Sequence, residues 1–340
     1  MRVEKSSAAA CAAVACAFFF LVAQPARACS ICRCGDPTFN ALGTDVYKAG
    51  AFRVFLDWER FDKEQEIFES HGEDEHGGEE HGTAGSESMV ENRFTTALSY
   101  SFGERVNLVV RVPVSTRRLS VEPGSDGDAL KHEGEEHGEA HGNRETGNDL
   151  ADPEIFGLFR LWAAPMSGPL GRRAWVSALV GVKTDWGEND VREEGARLDE
   201  HLQAGTGSTD YFGGLSAVYL LDRSSTLFGS VQARLTGEND FGYEYGDLTF
   251  ANLGYERKLG RVVDGVVELN FRHADHDVID PEGTEDPNTG GTVLYVTPKL
   301  SLDLGRGFVG RAAVQVPVFR DLNGEQKERA VANVGVTYLF

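Results

Sequence analysis

The sequence predicts an all-β protein, and more narrowly a transmembrane antiparallel β-barrel of about 12 strands. Three observations lead to this fold class: apolar and polar residues alternate with a period of two, the connections sort into short and long ones, and an export signal precedes the pattern. The last ten residues, VANVGVTYLF, show the alternation, with Val334 and Tyr338 on one face and Asn333 and Thr337 on the other. Such a period indicates strands with one apolar and one polar face.

The N-terminal residues 1–28 have the features of a secretory signal peptide. Arg2 and Lys5 precede an apolar run, and Ala26-Arg27-Ala28 fits the cleavage site. A lipid-modified Cys29 is the alternative, although Arg27 makes a poor lipoprotein motif. Residues 29–45 are then expected to form a periplasmic segment with three cysteines, and residues 46–340 the barrel. No later stretch has about 18 consecutive apolar residues, so no transmembrane helix is expected after the signal.

Twelve segments carry the alternation, and each is long enough for a strand tilted across a bilayer, which needs ~9–11 residues. They are 46–61, 89–103, 105–118, 153–163, 173–186, 209–221, 224–237, 246–258, 261–274, 291–304, 307–320 and 329–340. Because hydrocarbon offers no hydrogen-bond partners, only a closed sheet satisfies every strand's backbone there.

The connections between these segments alternate in length. Every second one is tight, namely 103–105, 222–225, 258–261 and 305–307, and 164–173 in the same series is somewhat longer. The others are long: 62–88, 119–152, 187–208, 238–245, 275–290 and 321–328. A soluble β-sandwich would also alternate, but it gives no reason for this sorting, which is typical of Gram-negative outer-membrane barrels with long extracellular loops. Both termini are then predicted in the periplasm, and the final Phe340 resembles the closing-strand signature that the barrel-assembly machinery recognises.

Two of the long loops, 62–88 and 119–152, are rich in histidine, carboxylate and glycine. They contain HGEDEHGGEEHG and HEGEEHGEAHG, and together hold six of the 9 histidines: His71, His76, His81, His132, His137 and His141. Imidazole and carboxylate suit Zn, Cu or Ni, so these loops are expected to gather such ions weakly and adaptably. The alternative is a hydrated acidic loop in which the histidines are incidental.

The N-terminal cysteines allow two interpretations. Cys29, Cys32 and Cys34 lie close enough to hold a soft metal such as Zn or Cu(I) with one ligand missing. A disulfide plus one free thiol is the alternative in an oxidising periplasm. No cofactor is firmly predicted.

Charged residues fall on the polar face of the strands, where lipid contact would cost ~2–4 kcal/mol each at mid-depth, so they are predicted to line the interior. The predicted lumen-lining residues are Arg53, Asp57, Glu59, Arg111, Arg160, Lys183, Arg234, Glu256, Glu268, Arg272, Lys299 and Arg311, with Asp185 and Asp303 at similar positions. They either form a ladder along a narrow pore or pair with each other and close the interior.

Several stretches resemble a family of outer-membrane transporters named after the meta-pathway of phenol degradation. LQAGTGSTDYF (202–212) and QVPVFRDLNGEQ (315–326) are the most similar, and GNDLADPEIFGLFRL (147–161) and GVKTDWGEND (181–190) resemble it more weakly. The resemblance runs from about residue 89 to the end and implies a channel-like outer-membrane barrel of undefined substrate.

The leading hypothesis is an outer-membrane channel or transporter for small solutes whose acidic, His-rich loops gather divalent transition-metal ions. The alternative is a non-conducting barrel that only displays those loops. An enzyme is not expected, because His273, the nearest match to outer-membrane phospholipases, is followed by Ala274 and Asp275 and not by a serine two positions on. The net charge of −21 argues against nucleic acid as a partner and leaves lipid, small solutes and metal ions.

Overall fold

The computed structural model describes residues 50–68, 84–122, 144–165, 173–193, 195–198, 200–324 and 326–340. Within these ranges the chain is a closed 12-strand antiparallel barrel, which confirms the predicted fold class. Among the described residues, no helix is long and apolar enough to cross a bilayer.

The described residues form seventeen strands. They are β1 Phe52–Phe68, β2 Ala84–Ser101, β3 Val106–Glu122, β4 Arg144–Glu145, β5 Asp149–Leu150, β6 Glu154–Ala163, β7 Ala174–Lys183, β8 Arg192–Glu193, β9 Ala196–Arg197, β10 Asp210–Leu220, β11 Ser225–Leu235, β12 Leu248–Lys258, β13 Val263–Ala274, β14 Gly291–Gly305, β15 Phe308–Leu322, β16 Gln326–Glu328 and β17 Val331–Leu339. A single 3-10 turn occurs at Glu200–Leu202 within the described ranges.

The twelve barrel strands are β1–β3, β6, β7, β10–β15 and β17, each antiparallel to its neighbours. The barrel closes because β1 pairs with β2 on one side and with β17 on the other, so that Asp57 lies opposite both Thr95 and Gly335. The short strands β4 and β5 pair with the far end of β3, and β16 pairs with the far end of β1. We call this the long-loop end of the barrel, and the opposite end the short-turn end.

The two faces of the barrel differ sharply in chemistry. Leu253 and Val267 on the outer face are 52% and 54% exposed, whereas Glu268 and Asn270 on the inner face are 3% and 0% exposed. Glu268 and Asn270 are each flanked along β13 by outward apolar residues, because successive side chains of a strand point to opposite faces. The apolar outer surface and the polar interior follow directly from the period-two pattern.

Aromatic rings gather on the outer face at the short-turn end. The C-terminal Phe340 packs against Tyr338 and Phe52, with ring centroids 4.4 and 5.3 Å apart, and Tyr338 also contacts Phe308 at 4.4 Å. Aromatic girdles mark the membrane–water boundary of transmembrane barrels, where one part of the ring is in lipid and the other near water. The closing strand therefore ends at the boundary that such a girdle marks.

Candidate functional site

The connection between β7 and β10 folds inward over the long-loop end of the barrel. Its residues 200–209, here the inward-folded loop, include Leu202, Gln203 and Thr206, all at most 3% exposed. The side chain of Gln203 stabilises the segment by two hydrogen bonds. Its Nε2 donates to Leu198 O at 2.8 Å, and its Oε1 accepts from Val191 N at 2.8 Å. A polar sequence is thus buried at the barrel mouth with its hydrogen-bonding groups satisfied internally.

Asp152, in the link between β5 and β6, binds the inward-folded loop through its carboxylate. Oδ2 accepts hydrogen bonds from Thr206 N at 2.7 Å and Thr206 Oγ1 at 2.8 Å, and Oδ1 accepts one from Gly187 N at 2.9 Å. A Cβ added at Gly187 or Gly205 would lie 2.5 or 2.7 Å from Oδ1. The glycines of this segment therefore let the backbone close around one buried carboxylate.

Lys183, at the end of β7, joins the same loop to the barrel wall. Its Nζ donates to Asp152 Oδ2 at 2.8 Å and to Ser208 O at 2.8 Å. It also hydrogen-bonds Thr206 Oγ1 and lies 3.2 Å from Asp210 Oδ2. At 1% exposed, the ammonium depends on these oxygens because an unpaired buried charge is expensive.

Glu154 extends this network along the wall. It accepts a hydrogen bond from Arg111 NH1 at 2.8 Å and forms an ion pair with Arg234 NH2 at 2.5 Å. Arg234, fully buried, also lies 3.8 Å from Asp210. Six charged residues form a group that we call the mouth cluster: Arg111, Asp152, Glu154, Lys183, Asp210 and Arg234. The three cations and three anions balance, and removing one partner would leave an uncompensated buried charge.

Arg117 on β3 provides a second attachment for the inward-folded loop. Its NH1 donates to the carbonyl oxygen of Gln203, and its Nε lies 3.2 Å from Glu91 Oε2. Glu91 in turn pairs with Arg93 at 2.8 Å, and Arg93 lies 3.9 Å from Glu59. The loop is therefore tied to β3 as well as to β6 and β7.

Buried apolar side chains form a cluster on the inner face below the mouth. The group that we call the apolar wall consists of Phe55, Ala97, Val109, Phe156, Leu158, Leu179 and Phe212. They lie on β1, β2, β3, β6, β7 and β10, which are consecutive in the sheet.

The aromatic pair at the centre of the apolar wall depends on a glycine. Phe156 on β6 and Phe212 on β10 both lie opposite Gly181 on the intervening strand β7. Their ring centroids are 5.9 Å apart at 62°, and a Cβ on Gly181 would lie 2.5 Å from atoms of both. The missing side chain lets two rings from strands that are not neighbours meet edge to face.

Amide and hydroxyl side chains form a hydrogen-bonded chain across the following strands. Thr297 Oγ1 donates to Asn270 Oδ1 at 2.5 Å, and Asn270 Nδ2 donates to Asn252 Oδ1 at 2.9 Å. Asn252 Nδ2 donates to Ser230 Oγ at 3.1 Å, which completes a chain across four strands, β11 to β14. We call these four residues, together with Gln232 on β11, the polar wall.

The remaining inward charges form local groups of opposite sign. Lys299 pairs with Glu268 at 2.6 Å, and Arg311 pairs with Asp57 at 3.0 Å across β17, where Gly335 leaves the space that the pair occupies. A third group joins Arg272 to Glu328 at 2.8 Å, with Lys63 at 3.5 Å and Tyr295 Oη as a further donor.

The twelve residues predicted to line the lumen are all buried or half-buried in barrel strands. Glu59, Arg111, Lys183, Arg234, Glu268 and Arg272 are less than a tenth exposed, and the other six are half-buried. Arg160 lies over the ring of Trp175 at 5.6 Å. Asp185 and Asp303, by contrast, are exposed, one at each end of the barrel, so they do not lie within the interior.

The predicted metal ligands lie outside the described residues. These are His71, His76, His81, His132, His137, His141, Cys29, Cys32 and Cys34. Within the part of the chain that the structure describes, no group of three or more His, Cys, Asp or Glu is arranged to hold a metal ion.

His273 lies on the outer face, directly opposite Thr292 on β14. Its Nδ1 is 2.9 Å from Thr292 Oγ1, and its Nε2 is 3.4 Å from Asp275. Directly opposed side chains of neighbouring strands commonly interact in this way, so the trio is explained as a cross-strand contact.

Sequence reasoning missed several residues of the site. Asp152, Asp210 and Glu91 were not distinguished from other carboxylates, and Phe156 and Phe212 lie on inward positions where polar residues were expected. A signal was nevertheless available, because the stretches 147–161, 181–190 and 202–212, which carry the family resemblance, come together at the mouth cluster.

Outside the barrel strands, Glu244 has an unusual electrostatic environment. Burial raises the pKa of its carboxyl group, and the charges of Asp247, Glu238 and Asp210 raise it further. Its backbone also links two long connections, since Glu244 N donates to Val278 O at 2.9 Å. This loop region is therefore less stable when Glu244 is ionised.

Comparison with solved structures relates the fold to outer-membrane barrels. The crystal structure of an outer-membrane channel from Pseudomonas putida F1 matches with a TM-score of 0.61 and 13% identity, over 88% of this chain and 99% of that one. The translocator domain of the autotransporter NalP from Neisseria meningitidis matches with a TM-score of 0.43 and 12% identity, over 86% and 90% of the two chains. The toluene transporter TodX of Pseudomonas putida has a TM-score of 0.38 and 10% identity, over 86% and 89%.

No protein-family model matches the sequence, and comparison with curated proteins gives no match. At 13% identity, the likeness to the Pseudomonas channel concerns the fold. The resemblance to the phenol meta-pathway family stays a prediction from the stretches quoted above.

Proposed function

We propose that this protein is an outer-membrane channel for small solutes in a Gram-negative bacterium, with its long-loop end facing outwards. The apolar outer face, the polar interior and the aromatic girdle support insertion in a bilayer. One observation carries the channel proposal: the segment that covers the mouth is attached to the wall by ion pairs and hydrogen bonds from Asp152, Lys183 and Arg117. Such an attachment can open without unfolding the barrel.

In this proposal the inward-folded loop sets the size of the entrance. The mouth cluster holds it in place at neutral pH because its three cations and three anions compensate each other in a buried environment. A solute passes when the loop is displaced, so conduction should be low and intermittent in the intact protein.

Planar-bilayer recording of the refolded mature protein tests the proposal, with Asp152→Asn as the diagnostic variant. Asparagine keeps the volume of the side chain but removes one of the two carboxylates that pair with the Lys183 ammonium, and only Asp210 at 3.2 Å remains, so openings should become several-fold more frequent. Asp190→Asn is the matched control, because Asp190 lies in the connection that carries the inward-folded loop but its ion pair with Arg192 is about half exposed and contributes ~0–1 kcal/mol. Absence of conductance from folded wild type and Asp152→Asn alike would refute the channel.

We further propose that the His-rich loops gather Zn, Cu or Ni ions at the outer surface. The sequence supports this, through six histidines among carboxylates that can complete a divalent shell. Calorimetric titration with each metal should give weak binding that disappears when His71, His76, His81, His132, His137 and His141 are all replaced by alanine. Metal binding in a barrel that does not conduct would favour the alternative of a display protein, and unchanged titrations would refute the loop sites.

The N-terminal cysteines and the assembly partner are proposals of the same kind. Cys29, Cys32 and Cys34 either bind a soft metal ion or form one disulfide and one thiol, which thiol counting on the mature protein with and without Zn distinguishes. Recognition by the barrel-assembly machinery through the closing strand is supported by Phe340, whose ring lies at the very end of that strand. Phe340→Ala should lower the assembled amount in cells more than it lowers refolding in detergent.

A further inference from the structure

We propose that the mouth of the barrel is a gate that acid closes, because two groups of facing carboxylates lie where the long connections meet. This inference rests on the proposed channel function and adds to it a condition under which the channel shuts. Loss of charge at these two places lets the connections pack more firmly around the inward-folded loop.

The connection 238–245 lies against the inward-folded loop and holds it from a second side. Asn239 Nδ2 donates to Thr206 O at 3.0 Å, and Tyr245 Oη donates to Glu200 O at 3.0 Å. Both Asn239 and Tyr245 are 6% exposed, so these contacts are within the packed part of the cover. The inward-folded loop therefore leaves the mouth only by breaking these hydrogen bonds or by moving together with this connection.

Glu244 lies in the connection 238–245 at the first place where carboxylates face each other. Glu244 and Val278 of the connection 275–290 exchange backbone hydrogen bonds of 2.9 and 2.8 Å, so two connections meet here. The charged groups that act on the Glu244 side chain are all anions: Asp247, Glu238 and Asp210. When Glu244 is ionised, its side chain therefore opposes the contact that its own backbone makes.

Asp149 and Glu188 form the second place of this kind, on the other side of the inward-folded loop. Glu188 N donates to Leu150 O at 2.7 Å, and Glu188 O accepts from Gly205 N at 2.8 Å, so Glu188 joins β5 to the loop. Oδ2 of Asp149 is buried and has no hydrogen-bond partner among the described residues. The charged group that acts on Asp149 is Glu188, again an anion. We call these two places the carboxylate joints.

Proton binding favours the closed arrangement of both carboxylate joints. Burial and the charge of Glu188 raise the pKa of the Asp149 carboxyl group above its ordinary value of 3.8, and burial and the neighbouring carboxylates raise the pKa of Glu244 above 4.5. A carboxyl group whose pKa is higher in the closed joint binds its proton more tightly there, so protonation stabilises closure. This stabilisation is lost as the pH rises through the raised pKa values towards neutrality.

The mouth cluster sets the lower limit of this pH range. Lys183 and Arg234 hold the wall and the inward-folded loop through ion pairs with three carboxylates, Asp152, Glu154 and Asp210. These pairs need ionised carboxylates, and strong acid breaks them. Asp210 belongs to both systems, since it acts on Glu244 and also lies 3.2 Å from Lys183. The gate therefore closes best in mild acid, where the joints are neutral and the ion pairs persist.

Planar-bilayer recording of the refolded mature protein between pH 7 and pH 4.5 tests the gate. The open probability of the wild type should fall by at least ~3-fold over this range, because proton uptake is linked to closure. Glu244→Gln and Asp149→Asn keep the shape of the protonated side chains. Each should lower the open probability at pH 7 towards the acid value, and the double variant should lose most of the pH dependence.

Glu282→Gln is the matched control, since Glu282 is an exposed carboxylate of the connection 275–290 and lies outside both joints. It should keep the wild-type pH response. Amide hydrogen exchange gives a second readout that needs no conduction. After correction for the intrinsic effect of pH, exchange in residues 200–209 and 236–247 should be slower at pH 4.5 than at pH 7. Folding of each variant is checked by heat-modifiable gel migration.

An open probability that stays constant or rises between pH 7 and pH 4.5 would overturn the inference, as would equal pH responses of the double variant and Glu282→Gln. Such a result from a conducting channel removes only the gate and leaves the proposed function standing. A barrel that is silent at every pH, in the wild type and in Asp152→Asn alike, removes the channel itself. In that case unchanged amide exchange at the two pH values would also refute the acid response of the cover.

Discussion

At the scale of single residues, the interior is organised by glycines that lie between larger inward side chains. Gly181 lets Phe156 and Phe212 meet across β7, and Gly335 lets Arg311 reach Asp57 across β17. Side chains directly opposite on adjacent strands are neighbours in any sheet. Phe156 and Phe212, and likewise Arg311 and Asp57, are two strands apart and meet where the position between them carries no side chain. The two glycines therefore determine which groups meet at these two places.

Replacing Gly181 by valine tests this directly. Valine suits a strand, but its Cβ would lie 2.5 Å from Phe156 and Phe212, so the rings must move apart. We expect the free energy of unfolding in urea to fall by about 1–3 kcal/mol. Gly213→Val is the control, since Gly213 points outward on the neighbouring strand and its added Cβ would make an ordinary contact at 3.4 Å. Equal losses for both variants would contradict the role of Gly181.

The carboxyl group of Glu244 gives a pH-dependent prediction. Because its pKa is raised above the usual value of 4.5 in the folded loop, ionisation weakens that loop as pH rises through this range. Glu244→Gln should therefore slow amide exchange in residues 236–247 at pH 7 and have no effect near pH 4. Glu282→Gln, at an exposed carboxylate of the adjoining connection, should change neither. If Glu244→Gln slows amide exchange equally at both pH values, the electrostatic explanation is refuted.

At the scale of elements, the ends of a strand could be predicted where its outer face contacts lipid and must be apolar. Strand segments outside the lipid region could be predicted less well. The alternation marks β10 to β13 to within about two residues of their observed ends. Strands β1 and β2 instead continue to Phe68 and Ala84, through DKEQEIF and AGSES, which lack a clear apolar face. The β1–β2 pairs next to the connecting loop lie beyond the predicted strand ends, where an apolar outer face is no longer required. The length of the β1–β2 hairpin could therefore not be predicted from the spacing of apolar residues.

A pair of deletions tests these strand ends. Replacing 69–83 by a short Gly-Ser linker keeps every β1–β2 pair, so the barrel should fold with near wild-type resistance to urea. Replacing 62–88 also removes seven β1–β2 pairs, from Asp62–Val90 to Phe68–Ala84, and Lys63, whose ion pair with Glu328 is buried. We expect the larger deletion to lose stability by several kcal/mol, given the cost of ~3–5 kcal/mol for breaking one buried pair. Equal free energies of unfolding for the two deletion variants would show that the β1–β2 pairs beyond the predicted strand ends contribute little to stability.

The inward-folded loop was the element that sequence reasoning could not place. Its residues carry the LQAGTGSTDYF stretch, but nothing in their order indicates that Thr206 reaches Asp152, 54 positions earlier. The pattern of apolar residues does not predict the position of this loop, because the loop is held by hydrogen bonds and ion pairs. The residues that form such contacts do not recur at a regular spacing in the sequence. The same holds for the apolar wall, where inward phenylalanines break the rule that the interior face is polar.

At the scale of the whole molecule, the placement of apolar residues on the outer face and of charged residues on the inner face explains insertion in a bilayer. The net charge of −21 belongs to the chain as a whole, while the described interior charges are arranged in compensated groups. Inward placement of charge was predictable from the cost of exposing it to lipid, but the choice of partner was not, since pairs such as Arg234 with Glu154 join distant strands.

Nitroxide scanning across Leu215, Ser216 and Ala217 tests the central claim that alternate residues of one strand face lipid and an enclosed interior. Each position is labelled in turn through a cysteine, in a mature chain whose Cys29, Cys32 and Cys34 are replaced by serine, and refolded into lipid vesicles. Leu215 is 49% exposed and Ala217 is also exposed on the outer face, whereas Ser216 points inward. We expect labels at 215 and 217 to collide freely with oxygen dissolved in the bilayer and not with a water-soluble nickel complex, and the label at 216 to be shielded from oxygen. Equal oxygen accessibility at all three positions, or free access of the nickel complex to 215 and 217, would contradict the account.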